Sequence, residues 1–203
     1  MVRASVSKSK PLSLVVLAAG EGTRLWPITE TIPKAMVRVL DKPLVAWAVE
    51  SALDAHPTLE QIVIVIGHHA PIVRDYFNGK PYASKITFVS QKERLGTAHA
   101  LQTAAPHVKH DFVTVHADHF CDPAAYKLFL SKAARDAFFV GTQKVAKGAS
   151  AFGVVRHDKG RVIKIQEKPL GLQAGLIALG INSLPKSFLP YLSKACRALM
   201  RSL

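Results

Sequence analysis

Short apolar runs alternate along most of the chain with segments whose apolar residues recur at helical spacing. Residues 12–18 are apolar except for Ser13 and rich in valine and leucine, as expected of a strand covered on both faces of a parallel sheet. Further strands are predicted at 62–66, 86–89, 112–117 and 137–141, and helices at 44–55, 70–77, 97–105 and 123–130. This alternation predicts an α/β fold with a three-layer, open, mostly parallel Rossmann-like sheet.

The first predicted helix and the C-terminal third add detail to this outline. In the helix, Leu44, Trp47, Ala48 and Leu53 lie roughly on one stripe, which we expect to face the core. From residue 151 onward the pattern predicts strands at 154–155, 162–166 and 176–181 with little helix between them, and a helical segment after residue 185. We interpret residues 1–10 as a flexible basic tail and residues 11–203 as one domain.

The chain is strongly basic, with 27 Lys and Arg against 14 Asp and Glu and a formal net charge of +13. Such a surplus favours polyanionic partners, including phosphorylated metabolites, nucleic acid and acidic membranes. The basic residues form no run of five or six, and the aromatic residues are scattered, so the pattern does not favour nucleic acid. No apolar stretch approaches the ~20 residues that cross a bilayer, so we predict no membrane partner.

The compartment is predicted from the cysteines and the N-terminus. Cys121 and Cys196 are far apart and form no paired motif, which is typical of a reducing compartment and predicts a cytoplasmic protein. The basic start and the apolar run after it imitate a signal peptide. However, the run passes directly into the glycine-containing segment 20–24, which argues against cleavage there.

The segment after the first strand carries the candidate chemistry. Residues 17–27 read L-A-A-G-E-G-T-R-L-W-P, and Pro33-Lys34 follows shortly after. Two glycines separated by one residue allow a tight turn that brings backbone N–H groups against phosphate oxygens. Arg24 adds a planar guanidinium and Lys34 a mobile ammonium group, at the sheet edge where open α/β folds bind ligands. Leu25 replaces the third glycine of a dinucleotide motif, and the Gly-Lys-Ser/Thr ending of an NTPase loop is missing.

The complete string resembles the signature of the sugar-phosphate nucleotidyltransferases, also called NDP-sugar pyrophosphorylases: L-A-A-G-x-G-T-R-L-x-P, then P-K, then K-P. Later segments resemble that family in the same order. Residues 91–98 resemble its base-recognition segment, Asp118 its metal-binding aspartate, and residues 152–155 and 165–169 its sugar-side segments. The resemblance covers about residues 12–184 and implies the nucleotide-diphospho-sugar transferase type of fold.

The resemblance also implies a reaction. A sugar 1-phosphate would attack the α-phosphate of a nucleoside triphosphate in line, with Mg²⁺ as cofactor, giving an NDP-sugar and pyrophosphate. The attacking phosphate is already ionised, so the obstacle is repulsion between two polyanions, and cations matter more than a general base. The segment 96–100 is more similar to uridylyl- and guanylyl-type members of the family than to thymidylyl ones. Our hypothesis is UTP, with GTP and dTTP left open, and a hexose or N-acetylhexosamine 1-phosphate as the second substrate.

By the family's pattern, each site residue receives a role. Arg24 and Lys34 would be the catalytic cations, on the departing pyrophosphate and on the α-phosphate. The nucleotide would contact Ala18, Ala19, Gly20, Gly22, Thr23, Gln91, Gly96 and Thr97. The sugar phosphate would contact Gly153, Glu167 and Lys168, and Asp118 would bind Mg²⁺, which prefers carboxylates together with substrate phosphates.

Departures from the family pattern keep alternatives open. Ala117 replaces the usual glycine before the metal-binding aspartate, and no Asp or Glu follows Glu167, where many members carry a second metal ligand. The C-terminal part is also short relative to the family. A non-catalytic nucleotide- or sugar-phosphate-binding relative, or a regulatory subunit, therefore remains the alternative.

A metallohydrolase is a third hypothesis. Residues 116–119 read H-A-D-H and resemble part of the H-x-H-x-D-H zinc signature, but Thr114 occupies the position of the first histidine and no further ligand set is visible.

The oligomeric state is open as well, because the apolar C-terminal end could pack in the core or against a second copy.

Overall fold

The computed structural model describes residues 10–56, 59–93, 95–119, 123–133 and 138–192. Within them, eight strands form the main sheet: β1 (Leu12–Ala18), β4 (Leu59–Ile66), β5 (Ile86–Ser90), β6 (Phe112–His116), β7 (Phe139–Val145), β8 (Gly153–Asp158), β9 (Arg161–Glu167) and β10 (Gly175–Leu184). Two short strands, β2 (Arg38–Val39) and β3 (Lys42–Pro43), pair separately. The helices are α1 (Leu44–Ala55), α2 (Ala70–Phe77), α3 (Thr97–Ala104) and α4 (Pro123–Ala133).

The sheet has a parallel part and an antiparallel part. Strands β5, β4, β1 and β6 lie side by side in that order, and all three of their pairings are parallel. Strand β10 runs antiparallel to β6, pairs with β7 and β8, and β9 forms the edge beyond β8. The predicted α/β class and open Rossmann-like sheet are confirmed, and the strands predicted after residue 151 form the antiparallel extension.

Helices cover both faces of the parallel part, as predicted. On one face Leu14 and Val16 pack with buried residues of α1, α2 and α4. On the other face Val15 packs with buried residues of α3, and Leu189 and Leu192 from the helical segment at 189–192 join this cluster. Alternate residues of β1 therefore contribute to two cores, which explains why its sequence is apolar throughout.

The predicted stripe of α1 is only partly correct. Ala48 is buried, but Leu44, Trp47 and Leu53 are only partly so, and the fully buried face consists of Val45, Ala46, Ala48, Val49 and Ala52. Trp47 lies at the side of the helix, where its indole Nε1 donates a hydrogen bond to the Val39 carbonyl at 3.0 Å. The Trp47 side chain, which the helical spacing assigned to the core, is therefore hydrogen-bonded to the β2–β3 ribbon instead.

The order of the elements creates a crevice between β1 and β6. The connection that leaves β1 runs through α1 on one face of the sheet, whereas the connection that enters β6 runs through α3 on the other face. Two neighbouring parallel strands whose connections diverge in this way leave an opening at their carboxyl ends, where open α/β sheets bind ligands. Among the described helices, none has both the length and the apolar character needed to span a membrane.

Candidate active site at the carboxyl ends of β1 and β6

A pocket of about 430 Å³ occupies this crevice. It is formed by the loop after β1, the turn that carries Lys34, the segment from β5 into α3, and the residues that follow β6. Its lining includes Ala18, Ala19, Gly20, Gly22, Thr23, Lys34, Gln91, Gly96, Thr97 and Asp118, all predicted from the sequence, together with Leu17, Glu21, Ala35, Ala100, His116 and Ala117. The structure thus brings the predicted nucleotide-contacting residues together with Lys34 and Asp118.

The glycine loop is folded directly against Lys34. Gly22 has a φ of +70°, and a Cβ atom at this position would lie 2.7 Å from the Cβ of Lys34, closer than two such carbons can approach. The Thr29 hydroxyl donates a hydrogen bond of 2.9 Å to the Gly22 carbonyl and fixes the turn. Glycine is required here both for the backbone conformation and for the close approach.

Lys34 and Asp118 form an ion pair within the lining of the pocket. Lys34 begins a 3₁₀ turn, Lys34–Met36, which is anchored by the buried Ala35. On the opposite side, the Ala117 N–H donates to the Leu17 carbonyl at 3.0 Å, which extends the pairing of β6 with β1 up to the residue before Asp118. The Lys34 Nζ donates a short hydrogen bond to Asp118 Oδ2, and the two side chains remain 34% and 37% exposed. A ligand in the pocket can therefore reach both charges.

The charges of this pair are set by their surroundings. Partial burial by itself would raise the pKa of Asp118, but the hydrogen bond and positive charge of Lys34 outweigh it and hold that pKa below its ordinary value. The carboxylate is therefore ionised at neutral pH and paired with a cation. Next to it, burial lowers the pKa of His116, so this imidazole is neutral.

His116 lines the pocket although no motif predicted a nucleotide contact for it. It is the last residue of β6 and packs against β10, where a Cβ at Gly180 would lie 3.1 Å from its Cγ. Its place at a strand end two residues before Asp118 was the only available signal. The sequence pattern suggested a role for His116 only within the partial zinc motif.

The opposite wall of the pocket is formed by Gln91 and the start of α3. The Gln91 N–H donates to the Ile66 carbonyl at 2.8 Å and continues the β4–β5 pairing. Its side-chain Nε2 lies 3.3 Å from the Gly96 carbonyl and 3.0 Å from His99 Nδ1. Gln91 is consequently only 7% exposed although it lines the pocket.

The predicted sugar-side residues form a group of their own outside this pocket. Gly153 pairs with Glu167 across β8 and β9, and a Cβ at Gly153 would lie 3.1 Å from Glu167 Oε2. The Lys168 N–H donates to the Phe152 carbonyl at 3.1 Å, and its Nζ lies 3.8 Å from Glu167 Oε1. The Lys168 and Glu167 side chains are 53% and 73% exposed.

Strand β10 lies between this group and the pocket at the ends of β1 and β6. A Cβ at Gly153 would lie 3.9 Å from that of Ala178, and Gly180, two residues further along the strand, packs against His116.

Arg24 is the one predicted catalytic cation that the structure does not place with the others. It follows Thr23 directly, but its side chain is exposed and does not line the pocket shared by Lys34 and Asp118. Its predicted contact with pyrophosphate stays a prediction.

The metal-binding side chains available near the pocket limit which metal ion the site could hold. In the described part of the chain, no three His, Cys, Asp or Glu side chains are arranged to bind a metal ion among themselves. A zinc site of the usual closed type would need such a set. Mg²⁺ is commonly held by one or two carboxylates together with substrate phosphates and water. Asp118, ionised and facing the glycine loop, fits that second kind of site.

Comparisons with known proteins identify a family and similar sequences. A family model described as "Nucleotidyl transferase" matches residues 13–202. The UTP–glucose-1-phosphate uridylyltransferase AglF of Haloferax volcanii is 31% identical over 194 residues, which cover 94% of this chain and 77% of the relative. The bifunctional protein GlmU of Methanococcus maripaludis strain C7 is 32% identical over 177 residues, 85% of this chain but only 40% of that protein.

The fold is also similar to that of a solved structure. A UDP-glucose pyrophosphorylase crystallised with UDP-glucose superimposes with a TM-score of 0.79 at 28% identity, covering 91% of this chain and 80% of that one. The family model spans nearly the whole chain, AglF is matched over most of its own length, and the glycine loop, Lys34, the segment from Gln91 to Thr97 and Asp118 contribute to one pocket. The chain therefore belongs to the sugar-phosphate nucleotidyltransferase family.

Proposed function

We propose that this chain transfers the nucleotidyl group of a nucleoside triphosphate, UTP by preference, to a hexose or N-acetylhexosamine 1-phosphate, releasing pyrophosphate and an NDP-sugar. The observation that carries the proposal is the Lys34–Asp118 pair, which faces the Gly20–Gly22 loop inside the pocket at the ends of β1 and β6. The preference for UTP is supported by AglF, which is named for UTP, and by the similar structure that was solved with UDP-glucose.

In the proposed reaction, the sugar phosphate oxygen forms a bond to the α-phosphorus. The bond from that phosphorus to the bridging oxygen breaks, and pyrophosphate leaves with the electron pair. Lys34 would shift from Asp118 to the α-phosphate and neutralise its charge. Opposite unit charges ~4 Å apart attract by roughly 4 kcal/mol at an effective dielectric of about 20, so one well-placed lysine matters. Because the attacking phosphate is already ionised, the chain needs no general base.

Asp118 would hold Mg²⁺ when Lys34 turns to the nucleotide. The ion would neutralise negative charge on the phosphates between which the bond breaks. The ionised state of Asp118, maintained by Lys34 before the substrate binds, keeps the carboxylate ready for this role.

The remaining predicted residues extend the proposal beyond the pocket. Gly153, Glu167 and Lys168 would hold the sugar 1-phosphate, with Glu167 on a sugar hydroxyl and Lys168 on the phosphate. Gly153 lies close to Ala178 of β10, and Gly180, two residues further along that strand, packs against His116. This arrangement supports the role, since a sugar bound along β10 would lead towards Asp118. Arg24, exposed at the end of the glycine loop, would contact the pyrophosphate as it leaves. We further propose a cytoplasmic location, which the two cysteines support because they belong to no paired motif.

Asp118→Asn tests the proposal. Wild-type protein should incorporate labelled pyrophosphate into UTP when UDP-glucose or UDP-N-acetylglucosamine and Mg²⁺ are present, and Asp118→Asn should reduce this exchange by about 10²-fold or more. Asp54→Asn, which changes an exposed carboxylate on α1, is the matched control and should exchange like wild type.

Three outcomes would contradict parts of the proposal. Binding of UTP without exchange for any sugar nucleotide would identify a non-catalytic relative instead. Equal exchange by wild type and Asp118→Asn would remove the assigned role of the carboxylate. A much higher exchange with another triphosphate would overturn the preference for UTP.

A further inference from the structure

The loop that follows β1 is held in place with little packing. All of residues 19–32 are described, and none of them is buried. Hydrogen bonds within the loop give it its shape: the Leu25 N–H donates to the Gly22 carbonyl at 2.8 Å, and the Glu30 N–H donates to the Pro27 carbonyl at 3.0 Å. Burial of apolar side chains is the main source of stability in a folded chain, so a segment without it opens more easily than the strands and helices around it.

A second cavity, of about 240 Å³, lies between this loop and the turn from β4 into α2. Its lining includes Gly20, Thr23, Trp26 and Glu30 of the loop together with His68 and His69 of the turn. At the start of the loop the two segments touch, and a Cβ at Gly67 would lie 2.8 Å from the Ala19 carbonyl oxygen. Further along the loop they are separated by open space, so contact between them there depends on individual side chains.

His69 crosses this space with a hydrogen bond. Its Nε2 lies 3.1 Å from the Glu30 carbonyl oxygen, which can only accept, so the imidazole must donate an N–H from this atom. The neighbouring residue carries the connection to the glycine loop, because the Thr29 hydroxyl donates to the Gly22 carbonyl at 2.9 Å. Two hydrogen bonds on adjacent residues therefore link His69 to the turn that the proposed nucleotide would contact.

The backbone at His69 would suit glycine better than histidine. His69 precedes α2 and has a φ of 58°, in the left-handed region that glycine enters without a steric penalty and that residues with a Cβ rarely adopt. The turn is closed by the main chain, where the Ile72 N–H donates to the His69 carbonyl at 3.1 Å. What the imidazole adds is its N–H to Glu30 and a ring contact with His68, with 3.9 Å between the ring centres.

We infer that His69 is a positioning residue for the nucleotide: its N–H holds the loop of residues 20–30 in the conformation that receives the triphosphate, before UTP binds. The inference rests on the proposed function, since it concerns the same glycine loop. A nucleotide binds more weakly when the loop is ordered in only a fraction of the molecules, and once bound it orders the loop itself. Loss of the hydrogen bond should therefore raise Kd and KM for UTP and leave kcat near wild type. One hydrogen bond shifts such an equilibrium by up to about tenfold.

Three variants test this role. His69→Gly removes the N–H and suits the turn, whereas His69→Gln retains a side-chain N–H donor of similar reach. Leu40→Gly, at an exposed position with the same φ of 58°, is the matched control for removing a side chain from a left-handed residue. In isothermal titration calorimetry with UTP and Mg²⁺, without a sugar phosphate, His69→Gly should show a Kd raised by about three- to tenfold. His69→Gln and Leu40→Gly should bind UTP like wild type, and the melting temperature of His69→Gly should not fall.

Two further measurements separate a loosened loop from a general disturbance of the protein. Trypsin should cleave after Arg24, which is exposed in the loop, up to about tenfold faster in His69→Gly than in wild type. Cleavage after Arg161, exposed in the β8–β9 hairpin, is the internal reference and should not change. In assays of UDP-sugar formation, KM for UTP should rise while kcat and KM for the sugar 1-phosphate stay near wild type.

Each part of the pattern can contradict the inference. An unchanged Kd for UTP or unchanged cleavage after Arg24 in His69→Gly overturns it, as does an equal rise in Kd in His69→Gln. A rise in KM for both substrates, or a fall in kcat alone, would indicate a general effect and overturns it as well. If wild type binds UTP and forms no UDP-sugar, the proposed transfer is refuted, and the Kd values and the cleavage after Arg24 still decide the role of His69. Failure of wild type to bind any nucleotide would refute the proposed function and the inference together.

Discussion

Two lysine–carboxylate pairs in this molecule have the same chemistry and different surroundings. Lys34 and Asp118 meet in the pocket, 84 positions apart in the sequence, while Lys42 and Glu50 meet eight positions apart where β3 leads into α1. The Asp118 and Lys34 side chains are 37% and 34% exposed, against 24% and 25% for Glu50 and Lys42. The first pair is the more open one, and it opens towards the glycine loop.

The second pair is held by additional partners. Glu50 accepts hydrogen bonds from Lys42 Nζ at 2.6 Å and from the Tyr82 hydroxyl at 2.7 Å, and the Lys42 Nζ lies 4.4 Å from the centre of the Trp47 ring. These contacts join β3, α1 and the segment before β5. Asp118, by contrast, has Lys34 as its side-chain hydrogen-bond partner among the described residues. In the proposed function, a ligand that takes Lys34 would release Asp118 for a metal, whereas a ligand of Glu50 would have to break its hydrogen bonds with Lys42 and Tyr82.

Replacing each lysine by methionine should show the largest difference between the two pairs. Lys34→Met should lower kcat for pyrophosphate exchange by about 10²- to 10³-fold with little change in melting temperature, because the cation is needed for the charge that develops during transfer. Lys42→Met should keep turnover near wild type and lower the melting temperature, because it removes one of the hydrogen-bond partners of Glu50. Exchange assays and calorimetric melting of both variants provide the measurement. A Lys42→Met protein that melts like wild type but is inactive would reverse our assignment of the two pairs.

Gly22→Ala should disturb the Lys34–Asp118 pair by displacing the backbone of the glycine loop. The added Cβ would lie 2.7 Å from that of Lys34, and the φ of +70° disfavours any side chain, so the loop and Lys34 must move apart. Displacement of a catalytic group by about 1 Å can cost ~10²-fold in rate, and we expect a loss of kcat/KM of that order. Gly79→Ala, with a φ of +78° and open space around it, is the matched control for backbone strain away from the pocket. Steady-state kinetics of both should show a loss confined to Gly22→Ala.

Glu50→Gln tests the electrostatic role of the second pair through the pH dependence of stability, and we expect a modest change. Burial would raise the pKa of Glu50, but Lys42 and Tyr82 outweigh it and lower that pKa below its ordinary value of 4.5. The charged carboxylate therefore stabilises the fold fully above about pH 4.5, and this stabilisation is lost as the pH falls further, through the lowered pKa. We expect Glu50→Gln to cost about 1–2 kcal/mol of unfolding free energy at pH 7. Urea unfolding at pH 7 and at about pH 3.5 should show the difference between the two proteins shrinking at the lower pH; a constant difference would contradict the charge-based explanation.

The fold was largely predictable because its parallel strands are short apolar runs separated by amphipathic helices. The bounds of β1, α1 and α2 are confirmed to the residue, since glycine, proline and polar residues mark their ends. The buried face of α1 was not predictable. The spacing of its apolar residues allows more than one face of the helix to turn inward, and the hydrogen bond from Trp47 to the β2–β3 ribbon, which fixes one of them, is a tertiary contact.

The candidate site was predictable in its residue types and only partly in its arrangement. The glycine loop, Lys34, Gln91, Gly96, Thr97 and Asp118 follow from motifs, and they line one pocket. Arg24 belongs to the same motif, yet its side chain is outside the pocket, since a motif fixes the order of residues and not the direction in which each side chain points. His99 lies in the segment 96–100, which is more similar to uridylyl- and guanylyl-type members than to thymidylyl ones, but the motif indicates no role for it. Its contact with Gln91 depends on the angle at which α3 leaves the loop after β5.

Local patterns of hydrophobicity and short motifs were enough to predict the class of fold, the family, and the charged and glycine residues available for phosphate chemistry. Which of those residues contact one another depends on the packing of the strands and helices. Lys34 and Asp118 become partners only because β1 and β6 lie side by side with their connections on opposite faces of the sheet. Contacts between segments 84 positions apart depend on how strands pair and helices pack, and no local pattern in the chain encodes that information.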